Sequence, residues 1–205
     1  MGTPITTTDI PIISEEKLFR RYITVYNRTI RQPSGLVSNW DVVGHDDGTG
    51  RPAMEANFVA VFPWFTASKT TALVREYAQG PHEMLYTVAC GAYDRAKHTS
   101  PLHAAQSELS EESRLTGGTY IALSDLTGPG IAELKWSANR FHVFLCVDPV
   151  KDEHPGARDA EEIMDTWEGV TVPDLKAVIT RGKMLLPSVQ ASWMAVEYLE
   201  KNGML

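Results

Sequence analysis

The period of the apolar positions changes several times along the chain, and each change marks an element. From 18 to 30 (LFRRYITVYNRTI) β-branched and aromatic residues are interleaved with polar ones, which predicts a strand. Pro33-Ser34-Gly35 has turn chemistry, and residues 36–43 return as a second strand with Trp40 at its middle. GHDDGTGRP (44–52) reads as a loop. Residues 55–64 (EANFVAVFPW) and 70–77 (TTALVREY) predict two strands joined by the polar turn Thr66-Ala67-Ser68-Lys69. After the loop GPHE, residues 84–91 read as one short apolar strand, and 119–126 and 139–149 as two more.

Helical signals come later. Ser100-Pro101 predicts a helix start, with Ser as cap and Pro as first helical residue. The helix is expected to run to about Leu115, with Gly117-Gly118 ending it. VKDEHPGARDAEE (150–162) reads as an acidic loop, and two helices, 173–180 and 187–201, close the chain. Strands interrupted by one central helix and closed by terminal helices indicate an α/β or α+β domain. The expected organisation is a flexible tail over 1–15, an N-terminal antiparallel β extension over 16–54, and a main domain over 55–205.

Composition narrows the functional classes. The chain of 205 residues can bury a sizeable core, and 43% hydrophobic with 22% charged residues is ordinary globular usage. A formal charge of −7 argues against a general nucleic-acid binder, because phosphate backbones are held by basic surfaces. An acidic protein still binds one nucleotide where cations neutralise the clustered charge. Cys90 and Cys146 lack metal-ligand spacing and read as reduced thiols on buried strands. No basic n-region precedes a long apolar run and no apolar stretch is of spanning length, so a cytoplasmic protein without a membrane segment is expected. P-loop and nucleophile-elbow signals are absent.

The chemistry concentrates on the central helix. Glu108, Glu111 and Glu112 sit at i, i+3 and i+4, which brings three carboxylates onto one face. Like charges so placed repel unless a cation neutralises them, and carboxylate oxygens are the hard ligands preferred by Mg²⁺ or Mn²⁺. A solvated acidic face is the competing interpretation of the same spacing. Around the helix the chain reads Cys90-Gly91-Ala92-Tyr93-Asp94, then Pro101-Leu102-His103-Ala104-Ala105, then Glu108-Leu109-Ser110-Glu111-Glu112. This resembles the Nudix box, in which a glycine turn leads to a helix carrying Arg-Glu-apolar-x-Glu-Glu. Leu73-Val74-Arg75-Glu76-Tyr77 and Tyr86-Thr87-Val88-Ala89-Cys90-Gly91 are similar to the segments that precede the box in ADP-ribose and ADP-sugar pyrophosphatases.

The resemblance implies a Nudix α/β/α sandwich with a mixed sheet, and a homodimer formed partly by the N-terminal strands. It implies catalytic metal binding by Glu108 and Glu112 as principal ligands, by Glu111 as an additional ligand or water positioner, and by the backbone carbonyl of Cys90, with Mg²⁺ or Mn²⁺ as cofactor. The substrate it implies is a small-molecule diphosphate of ADP-sugar type. Arg75 and Trp40 are the expected substrate-binding residues, although Trp40 could equally pack between sheets. The catalytic base is expected in the late acidic loop, which offers Glu153, Asp159, Glu161 and Glu162; Glu161 or Glu153 is favoured. The chain also departs from the pattern. Ser107 stands at the box arginine, Lys97-His98-Thr99 covers the loop glutamate, Arg114 stands at the following glycine, and Ala78 replaces a terminal substrate arginine. Two further readings stay open: a Nudix-fold binding or structural protein without efficient hydrolysis, and an enzyme for a non-nucleotide diphosphate.

Overall fold

The computed structural model describes residues 5–205. Two units are resolved: one runs up to Glu55 and includes Ala132–Arg140, the other comprises Ala56–Ile131 and Phe141–Leu205. Residues 1–4 of the expected tail lie outside the described residues.

The first unit is built on a three-stranded antiparallel sheet, in the order β1 (Ile12–Arg20), β2 (Thr24–Arg31), β3 (Val37–Gly44). The segment 18–30, expected as one strand, is thus the end of one strand and most of the next. The reason is visible in its pattern: Leu18-Phe19, Arg20-Arg21 and Tyr22-Ile23 come in pairs, so the period of two is lost there. The chain turns back, with Arg21 N–H donating to the Ile23 carbonyl at 3.1 Å. β1 also begins inside the expected tail. A small core of Tyr26, Val42 and Ala138 supports the sheet. Tyr26 Oη donates to Asp46 (3.0 Å), and Lys17 Nζ lies 2.5 Å from the same carboxylate. These donors, Lys17 foremost, hold Asp46 down to about 2. The segment 132–140 joins through Val43 N–H to Trp136 O (2.9 Å) and Ala138 N–H to Val43 O (2.8 Å).

The remaining elements follow in chain order: β4 (Ala56–Trp64), β5 (Thr70–Ala78), β6 (Glu83–Thr87), β7 (Ala89–Ala92), α1 (Pro101–Ser113), β8 (Leu115–Thr116), β9 (Thr119–Ala122), β10 (Ile131–Ala132), β11 (Arg140–Val147), β12 (Val150–Lys151), β13 (Met164–Thr171), α2 (Val172–Thr180) and α3 (Leu186–Lys201). One sheet has the order β10-β11-β4-β7 with β9 on β11; a second has the order β13-β5-β6; β12 and β8 form a pair. β4 explains the layering. Val59 and Val61 pack with Ala104, Ala105 and Leu109 of α1, whereas Ala60, Phe62 and Trp64 pack with Leu175 of α2 and Ala191, Ala195 and Leu199 of α3. Alternate residues of one strand therefore serve two helical layers, and both faces are apolar. The fold is mixed α+β, with a sheet between helices, as the chain pattern predicts.

Two strand assignments change. The run 84–91 divides at Val88, where the chain leaves the β5 sheet for the β4 sheet. Val88 N–H donates to Ser188 Oγ (3.1 Å), and Thr87 Oγ1 meets the same hydroxyl at 2.6 Å, so α3 satisfies the groups at the crossing. β13 has no counterpart in the expected elements. It pairs antiparallel with β5, but Asp165, Glu168 and Gly169 dilute its alternation and a register shift separates Trp167 from Val170.

Candidate functional site

Helix α1 starts as its cap residues require: Ser100 Oγ accepts from His103 N–H at 3.1 Å, and Pro101 takes the first turn. It stops at Ser113, earlier than expected, because Arg114 adopts a left-handed conformation (φ 58°) and donates its N–H to Leu109 and Ser110 carbonyls. Gly117 and Gly118 lie beyond the intervening strand β8. Leu109, Ala104 and Ala105 face the sheet and hold the helix in place, while Glu108, Glu111 and Glu112 occupy the adjoining face.

Each glutamate has a distinct environment. Glu112 is buried, and its Oε2 accepts the Cys90 backbone N–H at 2.7 Å. Burial pushes its carboxyl well above the usual range against the lowering effect of that bond, and Glu108 and Glu76 add to the rise. Glu108 lies over the backbone of Gly91, where a Cβ would come within 2.1–2.3 Å of its carboxylate. Only glycine leaves room for that approach. Burial, followed by the charges of Glu111, Glu162 and Asp159, pushes Glu108 up to about 7. Glu111 is raised by burial and by Asp159, with His98 and Lys97 opposing. Gly156 packs on it so closely that a Cβ would meet Glu111 Cγ at 2.3 Å.

Further groups join this face. Glu76 of β5 is raised by burial and by Glu162. Asp159 and Glu162 are held to each other, Asp159 N–H donating to Glu162 Oε2 (3.2 Å) and Glu162 N–H to the Asp159 carbonyl (3.0 Å). Glu153 and Glu161 are exposed, and neither contributes to the shifts of the helix glutamates. Opposite charge arrives with Arg158, whose guanidinium donates to the Glu111 carbonyl (3.3 Å) and the Glu112 carbonyl (2.5 Å). Arg114 Nη1 donates to the Gly156 carbonyl at 2.6 Å.

The other expected residues are more dispersed. Arg75 on β5 lies opposite Asp165 of β13, with Nη2 3.3 Å from its carboxylate and a buried Nε that has no partner among the described residues. Trp40 is half exposed on β3 of the first unit, with Lys135 Nζ 5.8 Å from its ring centre. At Cys90 the contact made to the glutamates is through the amide N–H. Cys146 is buried and its thiol pushed up to about 11 by burial; neither cysteine is in a disulfide among the described residues. Arg158 and Gly156 were not anticipated. The sequence signal for Arg158 is its position as the single arginine within the acidic stretch 150–162. Glu76 enters the sequence reading only as one residue of the segment 73–77.

The carboxylates suit a hard divalent cation by donor type and by their clustering on one partly desolvated face. Among the described residues no three His, Cys, Asp or Glu side chains converge on one point; Glu112 is turned to the Cys90 amide and Glu108 lies over Gly91. Coordination would therefore require these side chains to rotate, with the backbone frame unchanged.

No protein-family model matches the chain, and no curated protein matches it. Solved structures do. One, "Crystal structure of ADP compounds hydrolase", superposes with a TM-score of 0.72 over 100% of both chains at 17% identity. This likeness shows the fold. The chain shares the architecture of that structure.

Among the described residues no helix is long and apolar enough to cross a membrane.

Proposed function

We propose that the chain is a divalent-cation-dependent pyrophosphohydrolase acting on a nucleoside diphosphate linked to a second moiety, of ADP-sugar type. The observation that carries this reading is the set of desolvated carboxylates on one face of α1, seated over Gly91 in a Nudix-like fold. In this reading Glu108, Glu111 and Glu112 hold Mg²⁺ or Mn²⁺, which when bound neutralises charge on the diphosphate and acidifies water. Glu162 is the general base. It is the loop acid whose charge acts on all three helix glutamates and on Glu76, and a general base must lie beside the groups that hold the reacting centre. Glu153 and Glu161 lack that coupling and are the weaker candidates. Arg75, whose Nε has no partner among the described residues, contributes a donor for the substrate.

We also propose that the sheet of the first unit is a homodimer interface, since Phe19, Tyr22, Trp40 and Trp136 are large apolar residues left exposed there. Sedimentation at micromolar concentration would return a monomer if that is wrong.

The test of function is product release from a panel of ADP-sugars, dinucleotides and non-nucleotide diphosphates, with Mg²⁺ or Mn²⁺ and with chelator. Glu112→Gln protein is run beside the wild type. Chelator-sensitive turnover that disappears in the variant supports hydrolysis, and the best substrate defines the class. Nucleotide binding by calorimetry without turnover supports the second reading, a binding module, which Ser107 in place of a helix arginine favours.

A further inference from the structure

We propose that Arg158 is a positioning residue that latches the segment 152–162 onto the C-terminal end of α1 and so delivers Asp159 and Glu162 to the glutamate face. The proposal rests on the catalytic reading above for what the latch is used for, and on hydrogen bonds alone for its existence. The last carbonyls of a helix have no partner within it. In α1 the Leu109 and Ser110 carbonyls are taken by the Arg114 N–H, and the next two, of Glu111 and Glu112, by the Arg158 guanidinium. A cation there also meets the negative end of the helix dipole. The same guanidinium reaches Thr166 Oγ1 of β13 at 3.4 Å, so one side chain ties the helix to the strand that follows the loop.

Three more bonds fix the other end of the segment. Ser110 Oγ donates to Asp152 Oδ2 (2.7 Å) and accepts from Gly156 N–H (3.1 Å), while Arg114 Nη1 holds the Gly156 carbonyl. Gly156 then packs directly on Glu111, with no space for a side chain. The loop is thereby clamped at Asp152, Gly156 and Arg158, and Asp159 follows at the next residue. Ser107 leaves α1 without a lysine or arginine of its own beside the glutamates; Arg158 brings one to the helix end from the segment 152–162, in addition to Lys97 and His98, which act on Glu111.

The experiment compares full-length wild type, Arg158→Met and Ser110→Ala by hydrogen exchange, in chelator and with Mn²⁺ alone, followed by steady-state kinetics on the best diphosphate of the panel. In chelator, amides of 156–162 are expected to exchange about tenfold faster in Arg158→Met than in wild type, with α1 itself unchanged. Ser110→Ala, which leaves the guanidinium in place, is expected to loosen 152–156 more than 159–162. The kinetic signature of positioning is a kcat lower by roughly 10–100-fold with KM nearly unchanged. Equal protection of 156–162 in wild type and Arg158→Met would overturn the latch. Failure of Mn²⁺ to protect Cys90, Gly91 or α1 in any of the proteins would instead overturn the catalytic reading, and the chelator comparison would still decide the latch.

Discussion

Glu108→Gln tests whether the glutamate face is built at the expense of stability. Glu108 is held at about 7 against an ordinary 4.5, chiefly by burial and then by Glu111, Glu162 and Asp159. The sign follows from linkage. Below pH 4.5 the carboxyl is protonated in both states and costs nothing. Between 4.5 and about 7 the unfolded chain releases the proton that the folded chain keeps, so stability falls as pH rises; above 7 the full cost remains. At about 1.36 kcal/mol for each tenfold in proton affinity, the displacement from 4.5 to about 7 amounts to roughly 3 kcal/mol at pH 8 and about 1 kcal/mol at pH 5. Glutamine keeps the shape and removes the charge. Urea unfolding in chelator should therefore find the variant more stable than wild type by roughly 2–3 kcal/mol at pH 8 and by no more than about 1 kcal/mol at pH 5. Adding Mg²⁺ should narrow the gap by stabilising wild type more than the variant. Parallel pH curves for the two proteins, or a variant no more stable at pH 8, would refute the argument, because the carboxylate would then be solvated and uncoupled.

Other substitutions probe the frame. Gly91→Ala places a Cβ 2.1–2.3 Å from the Glu108 carboxylate and should weaken Mn²⁺ binding by calorimetry by about 10–100-fold; unchanged affinity would mean that Glu108 binds from elsewhere. Leu109→Ala removes a fully buried side chain from the inner face of α1 and should cost about 2–5 kcal/mol in urea unfolding. Lys69 sits at φ 53° in the exposed turn between β4 and β5; Lys69→Gly should raise stability by about 0.5–1 kcal/mol, the left-handed strain relieved less the entropy glycine loses.

Where local pattern and tertiary demand coincide, the fold can be read from the chain. β4, β5, β11, α2 and α3 fall within two residues of their expected limits because their apolar runs, caps and turn residues agree. The misreadings occur where a partner elsewhere decides. The break at Val88 depends on Ser188, a hundred residues away, and β13 is a strand because β5 offers it an edge, not because of its own alternation. Arg114 ends α1 in a conformation that glycine would have signalled. The candidate site divides in the same way: the spacing of Glu108, Glu111 and Glu112 is local and legible, whereas the choice of Asp159 and Glu162 over Glu153 and Glu161 is a matter of how the loop is folded back.

That division bears on how a helix face of three glutamates is accommodated in the fold. A helix with three glutamates on one face needs positive charge or a cation nearby, and α1 carries Ser107, not a lysine or arginine, beside them. With Ser107 there the helix offers the glutamates no local partner, and leaving a buried charge unpaired costs several kcal/mol. The loss is tolerable if compensation is redistributed, and the structure contains the parts: the Cys90 amide for Glu112, Arg158 and Arg114 at the helix end, and proton uptake by Glu108 in the absence of a cation. The guanidinium of Arg158 donates to the backbone carbonyls of Glu111 and Glu112 and not to their carboxylates, so it leaves the carboxylate oxygens unoccupied. Those oxygens stay available to a ligand in a way that a direct ion pair would not allow, so a cation placed at the helix end by the loop is compatible with ligand binding at the carboxylate face.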